Sequence, residues 1–560
     1  MIRMKKYRLH ILIAFAAATV LYSCTKSYEP VPVEQVTQDY IWDPLDSNGV
    51  YAGQVLTGVY ALLPGGYNRI GNDFLDAASD DAIPSRTSTT DVQKMLTGGI
   101  TIFDNPDAAA WANSYMGIRR CTDFLANFGV VPLKSAYEKR SWFGEARVMR
   151  AFFYWELVRR WGGVPLMGDS VKGLEDNIEI PRSSFATCID YIVKECDRAK
   201  DSLRDDPADD INLGRWTKAG AMALKAQVLL FAASPLYNGN NAGDSLNGYP
   251  SEDANRWQLA ANAAQDVMNL GAYHLETDFR NAFISQRSVE VIFAKNYGRG
   301  RSVENLNGPP NLSSAPALGY TSPTQELVDA YGMKNGKAIT DAGSGYDPNN
   351  PYANRDPRFY ATILYNGAPW LKGTLETYEG GLSGPGSSTG TQTKTGYYMC
   401  KFMPDYSQQS QYSDGYHDWI FFRYAEVLLD FAEARNEFSG PDADVYTAVE
   451  AIRSRAGLDP YALDPGLTKD QMRDIIRNER RKEFAFEEHR YWDLRRWKIA
   501  GTVLNTPLHG MSIIKNSGGG FTYNVISVIT PVFDVSKNYF YPVQYNEMIS
   551  NANMVQNPGW

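Results

Sequence analysis

Cysteine and histidine are scarce, with five of each in 560 residues. Cys24, Cys121, Cys188, Cys196 and Cys400 include no CxxC pair, and none adjoins a histidine. His10, His274, His417, His489 and His509 show no HExxH or other metal-ligand spacing. That pattern speaks against a zinc or thiol enzyme, and no metal or cofactor is expected. Cys188 and Cys196, if on one helix, lie two turns apart and too far to bridge. Basic residues are also in deficit, 55 Lys and Arg against 64 Asp and Glu. A chain so acidic is a poor partner for nucleic acid. The apolar run 11–21 is too short to span a bilayer as a helix.

That run belongs to a leader. Arg3, Lys5, Lys6 and Arg8 form a basic head, the apolar stretch follows, and LYSC ends it at Cys24. The ending resembles a bacterial lipobox, which implies that residues 1–23 are a lipoprotein signal peptide and that Cys24 becomes a lipidated N-terminus. Residues 24–40, beginning CTKSYEPVPVEQ, then read as a polar, proline-containing tether. Removing the leader takes away four bases and no acid, so the mature chain is more acidic still.

Length alone suggests about three or four domains, a count that repeat architectures break. Helical spacing in YAGQVLTGVYALL, residues 51–63, stops at Pro64, Gly65 and Gly66. The segment GEARVMRAFFYWELVRRWGGVPL, residues 144–166, is apolar nearly all round and reads as a buried helix. Residues 214–239 and 257–271 carry alanine seams that let helices approach closely, and 422–437 with 448–458 forms another helical pair. About four helix pairs result, without a clean repeat period.

Between the helical halves, residues 296–322 and 366–396 are rich in Gly, Ser, Pro and Asn and carry the isolated aromatics Tyr297, Tyr320, Trp370 and Tyr378. Long loops of this kind are functional or disordered. The 12 Trp and 35 Tyr otherwise suit a dense core, and Phe153, Phe486 and Trp492 are expected there. By elimination the four loop aromatics are the candidate ligand contacts. Asp80 and Asp81 stand in a polar segment read as a surface loop, and they are the next candidates.

The stretch 468–497, TKDQMRDIIRNERRKEFAFEEHRYWDLRRW, is the centre of the chain. Thr468 and Gln471 read as a capping box, and Met472, Ile475, Ile476, Glu479, Glu483, Phe486 and Arg490 recur on one helical face. Glu479 and Glu483 are open to two readings, an acid and base pair for glycoside hydrolysis or members of a structural ion-pair network. The structural reading is preferred, with Arg147, Arg150 and Arg490 as expected members.

The string ERRKEFAFEEHRYWDLRRW, residues 479–497, resembles the signature of the SusD/RagB family of cell-surface lipoproteins. Residues 144–166, RDPRFYATI at 355–363 and the terminal run 539–560 resemble further motifs of that family. The resemblance implies a mostly α fold of tetratricopeptide-like helical hairpins with long irregular loops and minor β content, spanning residues 41–560 as halves 41–280 and 281–560. It also implies capture of an oligomeric nutrient, a glycan or in RagB-like relatives a peptide, for a SusC-like TonB-dependent transporter at the outer membrane. No catalysis is expected.

Overall fold

The computed structural model describes residues 38–173, 175–239, 244–312, 317–386 and 392–560. The leader, Cys24 and most of the tether lie outside the described residues. The last tether positions do not: Gln38–Ile41 is a short helix, and the next residue, Trp42, packs edge-on against Phe124 at 5.7 Å.

Ten helices carry the scaffold: α1 (Val50–Tyr60), α2 (Ala109–Asn127), α3 (Ala136–Trp161), α4 (Phe185–Lys200), α5 (Lys218–Ala233), α6 (Asn255–Met268), α7 (Tyr424–Ser439), α8 (Ala443–Arg455), α9 (Lys469–Glu483) and α10 (His489–Arg496). From α2 to α7 each packs on the next, and α7 then receives both α8 and α9. This is the stacked-hairpin order that alanine seams permit. Ala219, Ala223, Ala226 on α5 and Ala260, Ala263, Ala264 on α6 are all buried. Caps fix the starts. Ser135, Ser184, Thr217, Asp442 and Thr468 each accept a backbone N–H of the first turn, and Gln471 completes the capping box at α9. Cys188 and Cys196 both lie buried on α4, as free thiols.

Strands are few and paired in twos. The three longer pairs are β1 (Ala82–Pro84) with β3 (Thr321–Pro323), β2 (Val291–Lys295) with β4 (Trp419–Arg423), and the hairpin β5 (Leu508–Lys515) with β6 (Phe521–Ile529), all antiparallel; three two-residue pairs within the insertion complete the set among the described residues. The β2/β4 pair explains how α6 stacks directly on α7 although the whole loop-rich insertion separates them in sequence. It holds the two ends of the insertion side by side and returns the chain to the helical stack. One hydrophobic core runs through both halves.

Candidate functional site

The stretch expected as one helix is two. α9 ends at Glu483, and Phe486 and Glu488 take left-handed φ values of 65° and 64° before α10 begins. Left-handed backbone at two non-glycine residues is costly, and a buried acid offsets it: Asp76 accepts the Phe486 N–H at 3.0 Å and the Glu488 N–H at 3.2 Å. Burial pushes the Asp76 carboxyl well above its usual range, with Asp81 and Glu488 adding to the rise. The α9 terminus leaves carbonyls without helical partners, and cations take them. Lys401 Nζ donates to the carbonyls of Glu483 and Ala485 at 2.7 and 2.8 Å, and Arg423 donates to the Glu483 carbonyl at 2.9 Å.

Glu479 and Glu483 are sealed at this junction, 1% and 0% exposed. Glu483 receives Arg423 at 2.7 Å, Arg358 at 2.9 Å and Arg455; Glu479 receives Arg358 at 2.6 Å and Lys482 at 3.0 Å. Glu290 and Glu487 share Arg423 at 2.7 and 2.8 Å. Burial pushes both glutamates up, yet Arg455, Arg423 and Arg358 hold Glu483 far below the usual carboxylate range. Arg358, Lys482 and Arg453 bring Glu479 down to about 2. Among the described residues both carboxylates are sealed from solvent, so this pair is not displayed as the acid and base reading requires.

The expected members of the network do not meet. Arg147 and Arg150 pair instead with Glu195 of α4, at 3.2 and 2.7 Å, because they lie on the face of α3 that packs against α4. Arg490 lies beyond the left-handed break, turned away from Glu479, and grips Asp80 through two bonds of 2.8 Å. Arg358, Arg423 and Arg455 do the work assigned to the α3 arginines. Each stands inside a stretch already singled out, 355–363, 422–437 or 448–458, but nothing local says which acid it meets.

Asp80 and Asp81 correct the surface-loop expectation. They are 3% and 0% exposed and paired with Arg481 at 2.9 and 2.6 Å, in the buried link between the 3₁₀ turn Leu75–Ala78 and β1. Arg481 and Arg490 hold the Asp80 carboxyl well below its ordinary range against the upward push of burial. They are joints of the fold and offer no oxygen to a ligand.

His489 opens α10 with its ring stacked on Phe484 at 4.5 Å. Burial and the neighbouring Arg480 push its pKa down to about 3. The folded ring stays neutral where the unfolded chain takes a proton near pH 6.5. Below that pH the unfolded state binds more protons, so this histidine's contribution to stability falls as pH drops from about 6.5 to about 3. In urea titrations between pH 7 and 4, His489→Gln is expected to lose less stability than the parent by about 1.4 kcal/mol per pH unit. Equal slopes for the two proteins exclude a neutral His489.

The loop aromatics divide. Trp370 is 2% exposed: its indole N–H donates to the Tyr412 hydroxyl at 3.0 Å and its ring meets Tyr406 edge-on at 5.5 Å. It is a core residue of the insertion and has no free face. Tyr378 is half-buried against Phe521 of β6 at 5.6 Å, with Lys515 Nζ 4.9 Å from its ring. Tyr320, also half-buried, lies under the Arg86 guanidinium at 4.5 Å, and Arg86 is itself pinned to Asp73 and to the Gly71 carbonyl at 2.7 Å. Tyr297 is 50% exposed. Its backbone N–H donates to Asp418 at 3.0 Å, and its hydroxyl end sits so close over Gly65 that a Cβ there would come within 2.0 Å of the oxygen. Gly65 thus both ends the α1 region and makes room for this ring.

Tyr297 and Tyr320 are tied to opposite ends of one short helix, Ser302–Asn307. Arg299, two residues past Tyr297, pairs with Tyr416 just before that helix, while the Tyr320 N–H donates to the Leu306 carbonyl at its far end at 2.9 Å. Around these two rings the region adds Arg86, 4.5 Å from Tyr320, and Tyr416, which sequence reasoning passed over because neither stands in a recognisable motif. Its chemistry is flat ring faces beside guanidinium groups and loop amides.

The architecture is a helical-hairpin scaffold with a buried network of acids and arginines at its centre and with Tyr297 half-exposed on an inserted loop region. Residues 289–560 match the model of the SusD family, and residues 49–230 match one described as "Starch-binding associating with outer membrane". The chain belongs to the SusD/RagB family. It is 25% identical to SusD-like protein P38 of Formosa agariphila over 524 residues, covering 91% of this chain and 95% of the relative. A crystal structure of a SusD-like protein from Bacteroides fragilis superposes with a TM-score of 0.79 at 28% identity, covering 94% of this chain and all of that one. A structure titled laminarin-binding SusD-like protein shares the fold, with a TM-score of 0.65 at 22% identity over 92% of this chain and all of the other. Among the described residues no helix is long and apolar enough to cross a membrane.

Proposed function

We propose that this protein captures a glycan at the cell surface and hands it to a SusC-like TonB-dependent transporter in the outer membrane, held there by a lipid on Cys24. The observation that carries the reading is the half-exposed Tyr297 ring at the head of the Ser302–Asn307 helix, with Tyr320 and Arg86 at its other end. Flat aromatic faces pack on the apolar faces of sugar rings, and guanidinium and amide groups take the hydroxyls. The likeness to a laminarin-binding SusD-like protein and to a starch-binding family over the N-terminal half supports a polysaccharide of glucose as the first ligand to try.

Calorimetry with laminarin and starch oligosaccharides tests this. Tyr297→Ala and Tyr320→Ala are each expected to weaken binding about tenfold, roughly 1.4 kcal/mol, with unchanged melting. Parent-like affinity in both variants moves the site elsewhere. The anchor is tested separately: Cys24→Ala is expected to give a folded protein released into the soluble fraction of cells lacking the transporter, since two acyl chains are what a stable anchor needs. Retention in the membrane fraction of those cells overturns the lipid assignment.

A further inference from the structure

Far from the aromatic loops in sequence, α2 borders a hollow of about 680 Å³ lined also by Pro165, Met167, Val171 and Ile178 and, from the C-terminal run, by Glu547 and Met554. That volume lies in the range of about 300–1,000 Å³ typical of binding cavities. Its walls are the rings of Trp111 and Tyr115 and the side chains of Ile118, Met167, Ile178 and Met554. Tyr115 spends its hydroxyl on the Pro165 carbonyl at 3.0 Å. Thr122, Ser170, Ser550 and Asn551 also line the hollow, but apolar surface makes up most of it.

The surroundings are equally apolar. Ile178 and Ile549 are 63% and 64% exposed, and Phe103, 74% exposed, lies against Tyr545 at 4.9 Å where the Tyr545 N–H joins the Ile102 carbonyl. Large apolar patches of this kind on a soluble surface mark interaction sites, and a centre rich in aromatic side chains and Met within a charged rim is the anatomy of a protein interface.

The rim has a sign. Asp176 and Glu547 line the mouth, and Glu175 and Glu179 are exposed on the same loop. Against these four carboxylates stand Arg119 and Lys172, and Arg119 also donates to the Lys172 carbonyl at 2.7 Å. Asp169, nearby, is already paired with Arg150. The mouth is therefore net acidic around an apolar floor, which complements an apolar group carried between positive charges.

We propose that this hollow is a docking site for a polypeptide segment that carries large apolar side chains flanked by lysine or arginine. It is chemically distinct from the aromatic surface around Tyr297 and stands whether or not that surface takes a glycan.

The probes are two labelled peptides, acetyl-Lys-Leu-Trp-Leu-Lys-amide and acetyl-Glu-Leu-Trp-Leu-Glu-amide, titrated with the full chain by fluorescence anisotropy. The basic peptide is expected to bind at least tenfold more tightly than the acidic one. Ile178→Ser, at an exposed position, is expected to weaken it about tenfold with unchanged melting, Glu547→Lys to narrow the preference at least threefold, and Tyr297→Ala to leave it as in the parent. Equal binding of the two peptides, no binding of the basic peptide at millimolar concentration, or parent-like binding by both Ile178→Ser and Glu547→Lys overturns the proposal.

Discussion

Replacing Glu483 with alanine is expected to cost about 3 to 5 kcal/mol of folding stability, a large share of the roughly 5–15 kcal/mol that holds a domain together. The carboxylate is fully buried and is shared by Arg358, Arg423 and Arg455, which arrive from a short helix in the insertion, the end of β4 and the end of α8. Removing it strands guanidinium groups that burial cannot solvate, and it loosens three elements at once. Glu483→Gln keeps the shape and an acceptor but not the charge, so it is expected to recover part of the loss. Denaturant midpoints for the three proteins decide the matter: an unchanged midpoint for the alanine variant removes Glu483 from the framework.

Asp80→Ala is expected to behave the same way, at a cost of about 3 kcal/mol, and to leave glycan affinity as in the parent at temperatures where the variant is folded. Asp80 holds Arg490 by two bonds of 2.8 Å and Arg481 by one of 2.9 Å, so it ties the first turn of α10 and the last turn of α9 to the segment before β1. Melting and calorimetry on one preparation separate the outcomes. Lost affinity with an unchanged melting temperature would return Asp80 to the ligand surface that its sequence context suggested.

Why the sequence misleads at Asp80 and not at Thr468 is a matter of range. The cap at Thr468 closes within three residues, and the alanine seams of α5 and α6 repeat within a turn, so local pattern is enough to read both. The start of α3 was misplaced because its cap, Ser135, precedes a charged first turn; the helix begins at Ala136 rather than at Gly144. Asp80 finds Arg490 across most of the chain, and the left-handed break at Phe486 is held by Asp76 over a similar distance. With many arginines in the chain, no spacing rule selects the partner. Trp370 fails for the same reason: its glycine-rich neighbourhood suggests an open loop, but Tyr406 and Tyr412, further along the insertion, come back to cover it. Tyr297 is legible as a loop aromatic, but its seating depends on Gly65, in a different part of the chain, over which its hydroxyl end packs.

The insertion between α6 and α7 is fastened at its ends by the β2/β4 pair, along its course by β3 against β1, and in its middle by Arg358 and Lys401, which plunge into the acids and carbonyls at the end of α9. Those two cations act as rivets through a removable panel. The aromatics Tyr297, Tyr320 and Tyr378 stand outside these fasteners, held by lighter contacts such as that of Arg301 with Asp414 at 3.5 Å, and are open to exchange. Arg358 and Lys401 are not: a graft that imports a relative's loops but drops either rivet leaves a stranded carboxylate or bare helix end beneath it, and the panel comes loose from the frame.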